Sequence, residues 1–152
     1  MTFYPTRKST EYIIIHHSLT KDGKVVNWQA IRNYHRGLGW VDVGYHFGLD
    51  KINNEVEVLA GRPLLAIGAH TKQQNMNARS IGICIIGNYD ENKPAPEYYD
   101  KLIPLLAHLL KIFKLTPDRI KAHRDFASYK TCPGKAFSIE ELAELVSVYG
   151  RF

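Results

Sequence analysis

The run Ser80-Ile81-Gly82-Ile83-Cys84-Ile85-Ile86-Gly87 constrains the fold of this chain more than any other stretch. Strand side chains point alternately to opposite faces, so a strand with one wet face alternates apolar and polar residues. Ile81 to Ile86 is nearly all apolar, as expected of a central strand covered on both faces. A second run, Tyr12-Ile13-Ile14-Ile15-His16, is rich in β-branched residues and reads as another strand.

Helical spacing predicts three helices around these strands. The first runs from about Asn27, a capping residue, to His35, with Gly37 and Gly39 behind it. The second runs from about Glu97 to Phe113, with Tyr98, Leu102, Leu105, Leu106, Leu109 and Phe113 on one face. Pro104 deletes a backbone bond inside it, so a kinked but continuous helix is expected. The third opens on the capping box Ser138/Glu141, buries Ile139, Leu142, Leu145 and Val146, and spans about 138–149.

Tyr45 to Lys51 and Glu55 to Leu59 form a hairpin about Asn53-Asn54, and a short strand near Ile120 to Ala122 delivers His123. Strands and helices do not alternate strictly. The expected fold class is therefore mixed α/β, a central mixed β-sheet flanked by helices. The 152 residues suit a single domain, with residues 1–10 as an N-terminal extension and 12–134 as the core that bears the motifs.

Lys plus Arg is 20 and Asp plus Glu is 15, a formal charge of +5. Such a field favours anionic partners, including bacterial envelopes, but the basic residues are scattered and no nucleic acid is expected. No apolar stretch approaches the roughly 20 residues of a membrane span. No signal peptide is visible, so synthesis in the cytoplasm is expected. Two cysteines make no disulfide framework, and Cys84 in its apolar run reads as a core residue.

His16 ends the first strand, His123 ends a later one, and Cys132 closes a loop nine residues further on. Two imidazoles and a thiolate suit zinc with a fourth position left for water, whereas four protein ligands would suggest a structural clip. His17 competes with His16. Alternation sends the two to opposite faces, but periodicity does not say which faces a cleft.

Five further blocks accompany Ile14-Ile15-His16-His17-Ser18-Leu19-Thr20. They are Gly39-Trp40-Val41-Asp42-Val43-Gly44-Tyr45-His46-Phe47, Ile67-Gly68-Ala69-His70-Thr71, Asn77-Ala78-Arg79-Ser80-Ile81-Gly82-Ile83, Ala122-His123 and Lys130-Thr131-Cys132-Pro133-Gly134. In this order and spacing the chain resembles the zinc-dependent N-acetylmuramoyl-L-alanine amidases. It is most similar to the branch of phage lysozyme-type amidase endolysins and peptidoglycan recognition proteins. His17 stands where that branch often has a small residue or a cysteine, and the loop from His123 to Cys132 is a residue longer than in some members.

The resemblance implies one Zn2+ per chain on His16, His123 and Cys132, which selects His16 over His17. It implies peptidoglycan as substrate, cleaved at the amide between the lactyl group of muramic acid and L-alanine. Lys130 is then expected to stabilise the oxyanion, and Tyr45 to orient water or donate to that oxyanion. No H-E-x-x-H helix supplies a glutamate base. His70, His46 and Arg62 are candidates for binding sugar or stem peptide.

The expected role is a monomeric endolysin that acts on the cell wall after release from the host cytoplasm. A non-catalytic peptidoglycan-binding protein is the alternative, and the presence of Cys132, Tyr45 and Lys130 together argues against it. A dual role, in which the amidase also binds and inhibits a phage RNA polymerase, is the third reading. Residues 1–10 are where that contact would be sought.

Overall fold

The computed structural model describes residues 3–19 and 27–152; Met1, Thr2 and Thr20, which belong to segments named above, lie outside the described residues. Five strands form one sheet: β1 (Tyr12–His17), β2 (Phe47–Ile52), β3 (Glu55–Ala60), β4 (Ser80–Ile85) and β5 (Ile120–Ala122). Their order is β3-β2-β4-β1-β5. β4 runs parallel to β1 and β2, β5 parallel to β1, and only β3 is antiparallel to its neighbour. The expected mixed α/β architecture is borne out. β4 lies in the middle of the sheet, and all six of its residues are buried.

Alternation divides the sheet into two faces. Ile13, Ile15, Leu49, Ile81, Ile83 and Ile85 pack under helices α2 (Pro96–Ile112) and α3 (Ile139–Gly150). The opposite face carries Cys84, covered by Val43, Ile86 and Trp28 of helix α1 (Trp28–Gly37). α2 continues through Pro104 as expected. Asn27 caps α1 by accepting the Ala30 N–H at 2.8 Å, and Ser138 caps α3 by accepting the Glu141 N–H at 3.1 Å. Leu145, expected in the core, is instead 39% exposed, at the edge of the α3 face that Leu142 and Val146 bury.

A glycine keeps the face opposite α2 and α3 clear for a ring. A Cβ on Gly48 would stand 2.4 Å from two carbons of the Trp28 ring. Trp28 is buried, and its backbone N–H donates to the buried Asp50 carboxylate at 3.0 Å, which holds the main chain from which the ring projects. Gly48→Ala is therefore expected to destabilise the chain by about 1–3 kcal/mol. The readout is a lower urea midpoint at unchanged m-value. An unchanged midpoint would show that the ring shifts without cost.

Residues 3–10 are not a loose extension. Thr6 bridges Ala66, the Arg7 N–H donates to Leu65 O at 2.8 Å, and the Ile67 N–H donates to Pro5 O at 2.8 Å. The Arg7 guanidinium is buried, donating to Ala66 O at 2.7 Å and to Thr10 Oγ1 at 3.0 and 3.2 Å. Burial pulls its pKa down to about 10.

Candidate active site

The site forms where the parallel strands end. In the β1–β5 register Ile15 pairs with Ala122, so the next residues, His16 and His123, emerge side by side. Their ring centroids are 4.6 Å apart. His16 lies on the face away from α2 and α3. His17 points the other way, where its Nδ1 accepts the Tyr89 N–H at 3.1 Å.

Cys132 arrives on a loop tied down by its own chain. Its Sγ lies 3.7 Å from His16 Nδ1 and accepts the His17 N–H at 3.4 Å. The Arg124 N–H donates to Cys132 O at 2.9 Å, while its guanidinium donates to the carbonyls of Thr131, Gly134 and Phe137. Asp90 accepts from Thr131 Oγ1 at 3.2 Å and the Lys135 N–H at 3.0 Å. Gly134 at φ +125° allows a close approach: a Cβ there would stand 2.2 Å from the Tyr89 backbone.

Donor atoms of His16, His123 and Cys132 lie within 4.8 Å of one another, and among the described residues no other such group occurs. An N and an S donor at about 2.0 and 2.3 Å from one tetrahedral zinc would stand about 3.5 Å apart. The 3.7 Å between His16 Nδ1 and Cys132 Sγ fits that spacing. Burial, with His70 and His123 adding to it, holds the His16 imidazole well below the ordinary range. Burial, then the Lys130 ammonium, lowers His123 to about 4. Both rings are thus neutral near pH 7, with a lone pair free for a metal. Burial pushes the Cys132 thiol up to about 11, against the pull of the His17 N–H, Lys130 and Arg124. A bound cation would displace its proton.

The trio opens into a cleft of about 500 Å³ also lined by Tyr45, His70, Trp40 and Lys130. Tyr45 precedes β2 rather than lying in it. Its ring centroid is 5.1 Å from that of His16. Burial, then Cys84 and Cys132, raises its phenol well above the ordinary tyrosine range. A second lobe of about 300 Å³ adjoins, lined by Thr71, Lys72, Gln73, Asn77 and Tyr129. Gln73 Nε2 donates to Tyr129 Oη at 3.0 Å across it.

Two of the expected substrate-binding residues stand elsewhere. His46 is buried, its Nε2 donating to Ala66 O at 2.7 Å and its Nδ1 accepting the Gly82 N–H at 3.0 Å. Arg62 donates to the carbonyls of Val43 at 2.9 Å and Ile67 at 3.0 Å. Neither is among the residues that line the cleft, and both tie loops together. His70 does line it, but through a ring engaged with His16 at 2.9 Å.

Sequence reasoning missed Arg124, Asp90, Trp40 and Tyr129. The place of Arg124 next to His123, and the single residue between Tyr129 and Thr131, were the available signals.

The family described as N-acetylmuramoyl-L-alanine amidase matches residues 6–135. The endolysin of Enterobacteria phage T3 is 38% identical over 135 residues, 86% of this chain and 84% of that protein. The N-acetylmuramoyl-L-alanine amidase LysC from Clostridium intestinale URNW superimposes with a TM-score of 0.77 at 29% identity, covering 95% of this chain and 92% of that one. Drosophila PGRP-LB superimposes with a TM-score of 0.73 at 25% identity, covering 99% and 87%.

Proposed function

The chain belongs to the N-acetylmuramoyl-L-alanine amidase family, and from that premise we propose that His16, His123 and Cys132 hold one zinc ion, with Tyr45 and Lys130 acting on the substrate amide. Its activity is hydrolysis of the amide between the muramoyl lactyl group and L-alanine, and its substrate is peptidoglycan. The observation that carries the metal reading is the convergence of three donor atoms within 4.8 Å at the strand ends, with room beside them.

Zinc bound there supplies a Lewis acid that polarises the amide carbonyl and lowers the pKa of water. The protein's own groups do the rest. Two neutral imidazoles and one thiolate leave a zinc site at net +1, so its electrophilic character survives ligation. Lys130, at the exposed rim of the cleft, meets the charge that develops on the lactyl oxygen. Tyr45 keeps its proton at neutral pH, which suits a hydrogen-bond donor to the reacting oxygens rather than a base. Arg124 holds the loop that carries both Lys130 and Cys132. Residues 1–152 act as one monomeric amidase unit, made in the host cytoplasm and released to the wall for lysis.

The test is digestion of purified peptidoglycan with and without a chelator, the new ends identified by mass spectrometry. Free L-alanine amines are expected, and only when metal is present. New reducing sugar ends would overturn the bond assignment. Amines that persist in chelator would overturn the metal.

A further inference from the structure

We propose that His70 is a positioning residue for the metal ligand His16: it fixes the tautomer and orientation of that imidazole and does not itself bind substrate. The inference rests on the zinc reading above. It starts from which ring atom of His16 faces the metal site. Nδ1 faces Cys132 Sγ at 3.7 Å, and Nε2 faces His70 Nδ1 at 2.9 Å. For Nδ1 to offer a lone pair to a metal, the ring proton must sit on Nε2. That proton meets the Nδ1 lone pair of His70 at 2.9 Å, and Thr71 Oγ1 stands further off at 3.4 Å.

The choice propagates. With Nδ1 of His70 accepting, its proton sits on Nε2, which faces Ser80 Oγ at 3.5 Å. Ser80 Oγ gives its own proton to Met76 O at 2.7 Å, leaving its lone pairs for His70. Thr71 Oγ1 lies beside this pair, 3.1 Å from His70 Nδ1 and 3.4 Å from His16 Nε2. Every donor in the row from His16 to Met76 thus points away from the metal site. A ligating histidine commonly donates its second N–H to a carboxylate or carbonyl. Here a neutral imidazole takes that place, which adds no negative charge beside the site.

One segment builds the socket that holds His70. Asn77 Oδ1 accepts the N–H of both His70 and Thr71 at 2.7 Å. Gln74 and Asn75 adopt positive φ, turning the chain so that Asn77 faces back. Gly82 leaves space for the ring, since a Cβ there would lie 2.5 Å from two of its atoms. Gly68 clears another side, where a Cβ would lie 2.6 Å from His70 Cδ2. The ring is therefore packed between strand and loop, with its polar edge turned to His16.

The test measures zinc affinity of the full chain by chelator competition, alongside thermal unfolding of the metal-free protein. His70→Phe keeps a planar ring without the acceptor. It is expected to weaken zinc about 10- to 100-fold. His70→Asn places an oxygen where Nδ1 stood and is expected to restore affinity to within a few-fold of the parent. Wild-type affinity in His70→Phe, or equal losses in the two variants, would overturn the proposal. So would a raised KM for peptidoglycan with zinc affinity intact, which would put His70 on the substrate. Should His70→Phe fail to fold, His70→Asn decides alone: a folded protein that loses zinc 10-fold or more overturns the hydrogen-bond account. A parent chain that takes up no zinc overturns the ligand set itself, a result read directly from the unmodified arm.

Discussion

Cys132→Ser is expected to strip the chain of zinc and of amide hydrolysis together, while peptidoglycan is still bound. The thiolate is the only anionic donor in the trio, and a serine hydroxyl is a far weaker ligand at neutral pH. If one ligand carries about a quarter of a zinc site's roughly 10–16 kcal/mol, its loss costs about 2.5–4 kcal/mol. That is a fall of about 10²–10³ in affinity. The loop should keep its place. Arg124 holds it through the carbonyls of Thr131, Cys132, Gly134 and Phe137, none of which the substitution touches. Serine Oγ can also accept the His17 N–H that Cys132 Sγ accepts. Metal content after desalting, amide cleavage by mass spectrometry and sedimentation with peptidoglycan separate the three quantities. Full activity in Cys132→Ser would remove the cysteine from the ligand set.

Lys130→Ala is expected to lower kcat by about 10²–10³ while zinc stays bound and KM changes little, the signature of a group used in the transition state. The ammonium lies at the rim of the cleft and its charge is felt at His16, His123 and Cys132. Its Nζ also lies 5.7 Å from the centroid of the Tyr129 ring, which narrows the range over which the side chain swings. Lys130→Arg retains the charge with a different reach and should recover part of the rate. An unchanged kcat in Lys130→Ala would return the residue to the solvated surface.

Patterns of one side chain at a time were legible in the sequence. Ile81 to Ile86 reads as a covered strand, observed as Ser80–Ile85, and the caps at Asn27 and Ser138 announce the helices they start. The trio was legible because ligand chemistry and family blocks coincide on it. Relations between distant residues were not legible. Gly48 and Gly82 read as small strand residues, yet each clears space for a ring on another element. His46 and His70 look alike in sequence, but one is closed off by Ala66 and Gly82 while the other reaches His16. Arg7 carries no sign of burial in its neighbours; Leu65 to Ile67, which it packs against, lie far along the chain.

The strand order has a consequence for synthesis. β1 leaves the ribosome well before both its partners, β4 and β5. At roughly 5–20 residues per second, the interval from residue 17 to residue 80 is about 3–13 s. Throughout it three isoleucines wait with two open edges, a state prone to sticking to other nascent chains. The same order acts as a safety catch. A chain cut short before residue 132 holds His16 and even His123 but lacks the sulfur, so under the proposed ligand set truncated products are expected to be inert toward peptidoglycan.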